Sequence, residues 1–82
     1  MECNVHGLEL SEAITEVLLV LKECDLNKDP NLEIIHGYIH GQVLKNYFSS
    51  AKFLSDMRKQ GYDLKRNPPV NPAKSKFQIV RD

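Results

Sequence analysis

Leu32-Glu33-Ile34-Ile35-His36-Gly37, running on through Tyr38-Ile39-His40-Gly41 into Gln42-Val43-Leu44-Lys45, is the stretch on which the fold turns. Leu32 to Ile35 is rich in β-branched residues and follows the turn-forming run Asn27-Lys28-Asp29-Pro30-Asn31, so it predicts a strand. Beyond Gly41, Val43, Leu44, Tyr47, Phe48, Ala51, Leu54 and Met57 recur at helical spacing and predict a buried helical stripe. It is either one rod or two pieces broken near Ser49-Ser50. Between strand and helix stand two of the three histidines, each followed by glycine.

The same pattern occurs earlier in the chain. Glu2 to Val5 reads as a short strand that closes on His6-Gly7, with Ser11 as helix N-cap and Glu12 in the first turn. Ile14, Val17, Leu18, Leu21 and Cys24 then form the apolar stripe of a first helix over Ser11 to Cys24. Strand, helix and strand make a βαβ unit, whose two parallel strands bring His6-Gly7 and His36-Gly37 to one edge of a sheet. Downstream, Gly61 reads as a helix C-cap and Tyr62 to Arg66 as a short extended segment. Asn67-Pro68-Pro69-Val70-Asn71-Pro72 is a stiff loop, and Lys76 to Val80 alternates as a half-buried or edge strand does. The order βαβαββ describes an α/β fold, a two-layer α/β sandwich.

With 82 residues and 41% hydrophobic content, residues 1–82 make a single domain. No apolar run approaches the roughly 20 residues of a membrane span, so no membrane partner is expected. The cytoplasm is the expected compartment and a monomer the simplest state. Cys3 and Cys24 lack CxxC spacing, which excludes a zinc knuckle or thioredoxin-type motif, and the returning helix can bring them near one another. The net charge of zero conceals a division. Residues 1–41 carry 2 basic and 8 acidic side chains and residues 42–82 carry 9 and 3, giving −6 and +6. The basic half, with Arg58, Lys59, Lys65, Arg66, Lys74 and Lys76, is suited to meet phosphates.

Three histidines in strand-to-helix turns point to a site. Imidazole exchanges protons near neutrality, and a following glycine lets backbone approach a ligand or adopt positive φ. Both helices begin at this edge, where exposed amides and positive dipole ends favour anions. Lys45, one turn into the second helix, is the leading candidate for a phosphate contact, and Tyr38 could stack on an unpaired base or bury against the helix. The Hx3H spacing of His36 and His40 falls in a loop without a completing cysteine or carboxylate, so neither a metal site nor a cofactor is expected.

Asn4-Val5-His6-Gly7-Leu8 with Glu12-Ala13, then Ile34-Ile35-His36-Gly37 and Gly41-Gln42-Val43-Leu44-Lys45, resembles the Smr (small MutS-related) domain family over nearly the whole chain. The resemblance implies a fold similar to the C-terminal domain of bacterial translation initiation factor three. It also implies DNA or RNA as partner and, as in many members, endonuclease cleavage of phosphodiester bonds. His6 would be the general base or acid, with Asn4 beside it, and Gly7, His36, Gly37, Tyr38, Gly41 and Lys45 would bind nucleic acid. Two positions depart from the motifs. Asn4 replaces an aspartate, and Ile39 replaces a glycine. On a strand, positions 4 and 6 share a face about 7 Å apart, where an aspartate would orient His6; asparagine can hydrogen-bond there but cannot neutralise an imidazolium. Whether the domain is an enzyme therefore stays open, binding being better supported than cleavage. The alternative is a non-catalytic protein-interaction or adaptor module on the same scaffold.

Overall fold

The computed structural model describes residues 1–37, 42–68 and 71–80. Its elements are β1 (Glu2–Asn4), α1 (Leu10–Asn27), β2 (Asn31–Ile35), α2 (Gln42–Phe48), α3 (Ala51–Lys59), β3 (Asp63–Arg66) and β4 (Lys74–Val80). They form a small α/β domain with one four-stranded mixed sheet in the order β1-β2-β4-β3. β1 and β2 are parallel, and β4 is antiparallel to both β2 and β3. The three helices cover one face, so the molecule is a two-layer sandwich.

Strand alternation decides which residues meet the helices. Cys3 and Val5, Leu32 and Ile34, Leu64, and Phe77 and Ile79 are all buried. They meet Ala13, Val17, Leu21 and Cys24 from α1, Leu44, Tyr47 and Phe48 from α2, and Phe53 and Met57 from α3. Tyr47, Phe48, Phe53 and Phe77 form a chain of edge-to-face ring contacts with centroids 4.9–5.6 Å apart, so these aromatics are core, as their spacing predicts. The opposite sheet face carries Glu2, Glu33, Lys74, Lys76 and Gln78, with Lys74 Nζ 3.1 Å from Glu33 Oε1.

The second helical pattern is two helices. α2 stops at Phe48, and Ser50 caps α3 by accepting from the Phe53 amide at 3.4 Å. The Arg66 guanidinium donates to the carbonyls of Phe48 and Ser50 at 3.3 and 3.0 Å and lies over the Phe77 ring, so it ties the helix break to the sheet. Tyr47 Oη donates to Asp56 at 2.7 Å; that bond holds the Asp56 carboxyl below its usual range, and burial raises the phenol.

Three expectations are corrected. The first helix runs from Leu10 to Asn27 with Glu9 rather than Ser11 as its N-cap, because the Glu12 carboxylate accepts from the Glu9 amide at 3.1 Å. β1 ends at Asn4, since the backbone turns at His6-Gly7. β4 begins two residues earlier than Lys76 and lies in the sheet interior, paired on both sides, rather than at an edge.

Candidate functional site at the carboxyl edge

The parallel pairing of β1 with β2 brings the two histidine turns to one edge of the sheet. The register opposes Cys3 to Ile34 and Asn4 to Ile35. Carried two residues further, it opposes Val5 to His36 and His6 to Gly37. The two His-Gly pairs are thus offset by one residue. Because strand side chains alternate, the histidines take opposite fates: His36 follows Leu32 and Ile34 inward, whereas His6 follows Asn4 outward.

His36 is 1% exposed, the one buried polar residue among those described. Its Nδ1 lies 3.0 Å from the Gly37 carbonyl and its Nε2 3.0 Å from Ser75 Oγ. A carbonyl can only accept, so Nδ1 carries the proton, and in the neutral ring Nε2 accepts from the Ser75 hydroxyl. The backbone amides of His36 and Gly37 both donate to the Ala73 carbonyl, at 3.0 and 3.2 Å. The turn is fixed on every side.

His6 is exposed. Its ring covers the α-carbon of Gly37: a Cβ built there would fall within van der Waals contact of the ring, 3.1 Å from Nε2. Gly37 has φ +88°, so glycine is required there for conformation, and a Cβ would in addition displace the exposed His6 ring. Gly7 has φ +85°, with nothing within 4 Å of an added Cβ, and is required for conformation alone. Asn4 Oδ1 accepts from the His6 backbone amide at 3.0 Å. The expected side-chain contact between Asn4 and the His6 imidazole is replaced by this local turn, which shapes the backbone that carries His6.

A cleft of about 380 Å³ opens beside these turns, between α2 and the start of β4, lined by His36, Lys45, Ser49, Asn71, Lys74 and Ser75. Asn71 Oδ1 accepts from the Ala73 amide at 2.8 Å, which leaves its Nδ2 as the donor end of the side chain. A smaller extension of about 150 Å³ continues along Ser49, Arg66, Asn67, Ser75 and Lys76. Of the residues expected at the site, Lys45 and His36 line this cleft together, whereas His6 and Gly37 are not among its lining residues. Tyr38, Ile39, His40 and Gly41 lie outside the described residues.

The edge is not uniformly suited to anions. Glu9 and Glu12 stand in the first turn of α1, so that helix start is occupied by its own carboxylates. The favourable side is the α2–β4 side. Of the basic positions, Arg66 is engaged with main-chain carbonyls, while Arg58 and Lys59 close α3 at the far end of the sheet, where β3 begins. Ser75, Ser49 and Asn71 are absent from the sequence-based site. The one available signal was parity: Ser75 shares the inward face of its strand with Phe77 and Ile79, an isolated hydroxyl in an apolar row.

Among the described residues no three His, Cys, Asp or Glu side chains could hold a metal ion together, and no helix is long and apolar enough to cross a membrane. Cys3 and Cys24 are both buried thiols; burial, with Glu16 and Cys24 nearby, pushes the Cys3 thiol up to about 11. No family model, curated protein or solved structure matches the chain.

Proposed function

We propose that this is a nucleic-acid-binding domain of the Smr kind, which holds backbone phosphates of DNA or RNA in the cleft between α2 and β4. One observation carries the reading: a cleft gathers His36, Lys45, Asn71, Ser49 and Ser75, and Gly37, on which the exposed His6 ring rests, follows His36 in the chain. Amide, hydroxyl and ammonium donors converging on one cavity are the partners a phosphate needs, and an accessible imidazole next to them can take or give a proton. Any phosphodiester cleavage would use His6. Asn4 makes that step weak, because its oxygen shapes the turn and supplies no charge to an imidazolium. The domain is soluble and acts as a monomer in the cytoplasm.

Titration of single- and double-stranded DNA and RNA at rising salt tests the reading. Binding that weakens log-linearly with salt is expected, and His6→Ala and Lys45→Ala each reduce affinity by about 3- to 30-fold. Absence of binding to every form at low salt refutes it. A non-catalytic protein adaptor is the second reading, favoured by Glu9 and Glu12 at the start of α1, which repel phosphate from that half of the edge. Under it, both substitutions leave nucleic-acid affinity unchanged.

A further inference from the structure

We infer that Ser75 and His36 form a nucleophile–base pair, and that the cleft they line accepts a small carboxylic ester. The inference does not rest on nucleic-acid binding. It stands on a geometry that phosphate binding in the same cleft does not require: a serine hydroxyl 3.0 Å from an imidazole nitrogen whose opposite nitrogen is fixed 3.0 Å from a carbonyl. Nucleophile, base and orienting group are the three parts that activate a serine, and here the Gly37 carbonyl is the orienting group. It sets the tautomer, since Nδ1–H must donate to it and Nε2 is left to receive the Ser75 proton. The base is 1% exposed, so bulk water does not compete for that nitrogen.

The surroundings supply the remaining parts. Ser75 is half-buried and opens onto the cleft of about 380 Å³, at the small end of ligand-pocket sizes. Lys45 and the Asn71 amide line its walls and are the groups placed to donate to a developing oxyanion, while Lys74 at the rim is paired with Glu33. In the reaction, Ser75 Oγ attacks the ester carbonyl carbon while its proton passes to His36 Nε2. The tetrahedral intermediate collapses, the carbon–oxygen bond to the alcohol breaks, and Nε2 returns the proton to the departing oxygen. Water then repeats the sequence on the acyl-serine: its proton goes to Nε2, the acid is released, and Ser75 regains its proton. The sum is ester plus water to acid plus alcohol.

The test is covalent labelling of the whole 82-residue chain with a fluorophosphonate, followed by intact mass and peptide mapping, and in parallel the release of nitrophenolate from p-nitrophenyl acetate. One adduct per chain on the peptide containing Ser75 is expected, with a stoichiometric burst of phenolate. Ser75→Ala lowers labelling at least ten-fold, and Ser55→Ala on the exposed face of α3 leaves it unchanged. No adduct on the folded wild-type chain overturns the inference, as does an adduct mapped elsewhere or one that persists in Ser75→Ala. The wild-type mapping decides even if a variant fails to fold.

Discussion

His6-Gly7 and His36-Gly37 are the same dipeptide, each glycine has φ near +86° (+85° and +88°), and each pair ends a strand of one parallel ladder, yet one imidazole is exposed and the other is sealed in the core. The difference is one residue of register. Since Val5 opposes His36, the first strand places an apolar side chain where the second places its histidine. A motif repeated in sequence is therefore not a duplicated site. One copy leaves its ring at the surface, and the other sets its ring into the wall of the cleft.

The largest effect should come from breaking the buried copy. His36→Ala leaves a cavity and deprives Ser75 Oγ and the Gly37 carbonyl of their partner, and should cost about 2–4 kcal/mol of stability in urea unfolding. His6→Ala in the same assay should cost under about 0.5 kcal/mol, as an exposed position does. Equal losses would show that the two rings are not divided between surface and core.

The glycines sharpen the contrast. Gly37→Ala meets both positive φ and the His6 ring and should destabilise by about 1–3 kcal/mol, whereas Gly7→Ala meets positive φ alone and should cost about 1 kcal/mol. In a double-mutant cycle, adding His6→Ala should restore part of the loss in Gly37→Ala and none of that in Gly7→Ala. Additivity at both glycines would remove the His6–Gly37 contact from the account.

The conservative exchange at Asn4 is among the smallest changes in stability. Asn4→Asp preserves an oxygen acceptor for the His6 amide and should shift stability by less than about 0.5 kcal/mol, while Asn4→Ala should cost about 0.5–1.5 kcal/mol. The informative readout for Asn4→Asp is cleavage of labelled RNA and DNA over hours. Product that appears in this variant and depends on His6 would mark the natural chain as a binder that has lost its carboxylate.

Much of the fold was legible in the sequence because it rests on periodicity. The α1 stripe, the β-branched run of β2 and the Gly61 turn each carry a local signal for the expected βαβαββ order, which the break at Ser49-Ser50 turns into βαβααββ. What stayed hidden depends on relations between segments. Lys74 to Val80 alternates as an edge strand would, and only its pairing with both β2 and β3 makes it interior. Likewise Arg66 reads as a surface cation until the carbonyls of Phe48 and Ser50 are seen to hold it. At the site, His6, His36, Gly37 and Lys45 were accessible from motif and spacing. Ser75 was not, because serine is common and its partner lies 39 positions away.

The placement of β4 also governs when the molecule can form. Residues 74–80 come after every other element in the chain but fill the middle of the sheet, so β2 and β3 have no shared neighbour until that segment has been synthesised. β1, α1 and β2 pack on one another without it, whereas β3 has no strand beside it until β4 is present. The central strand thus joins segments far apart in the chain, and such non-local pairing carries a loop-closure cost that the helices do not.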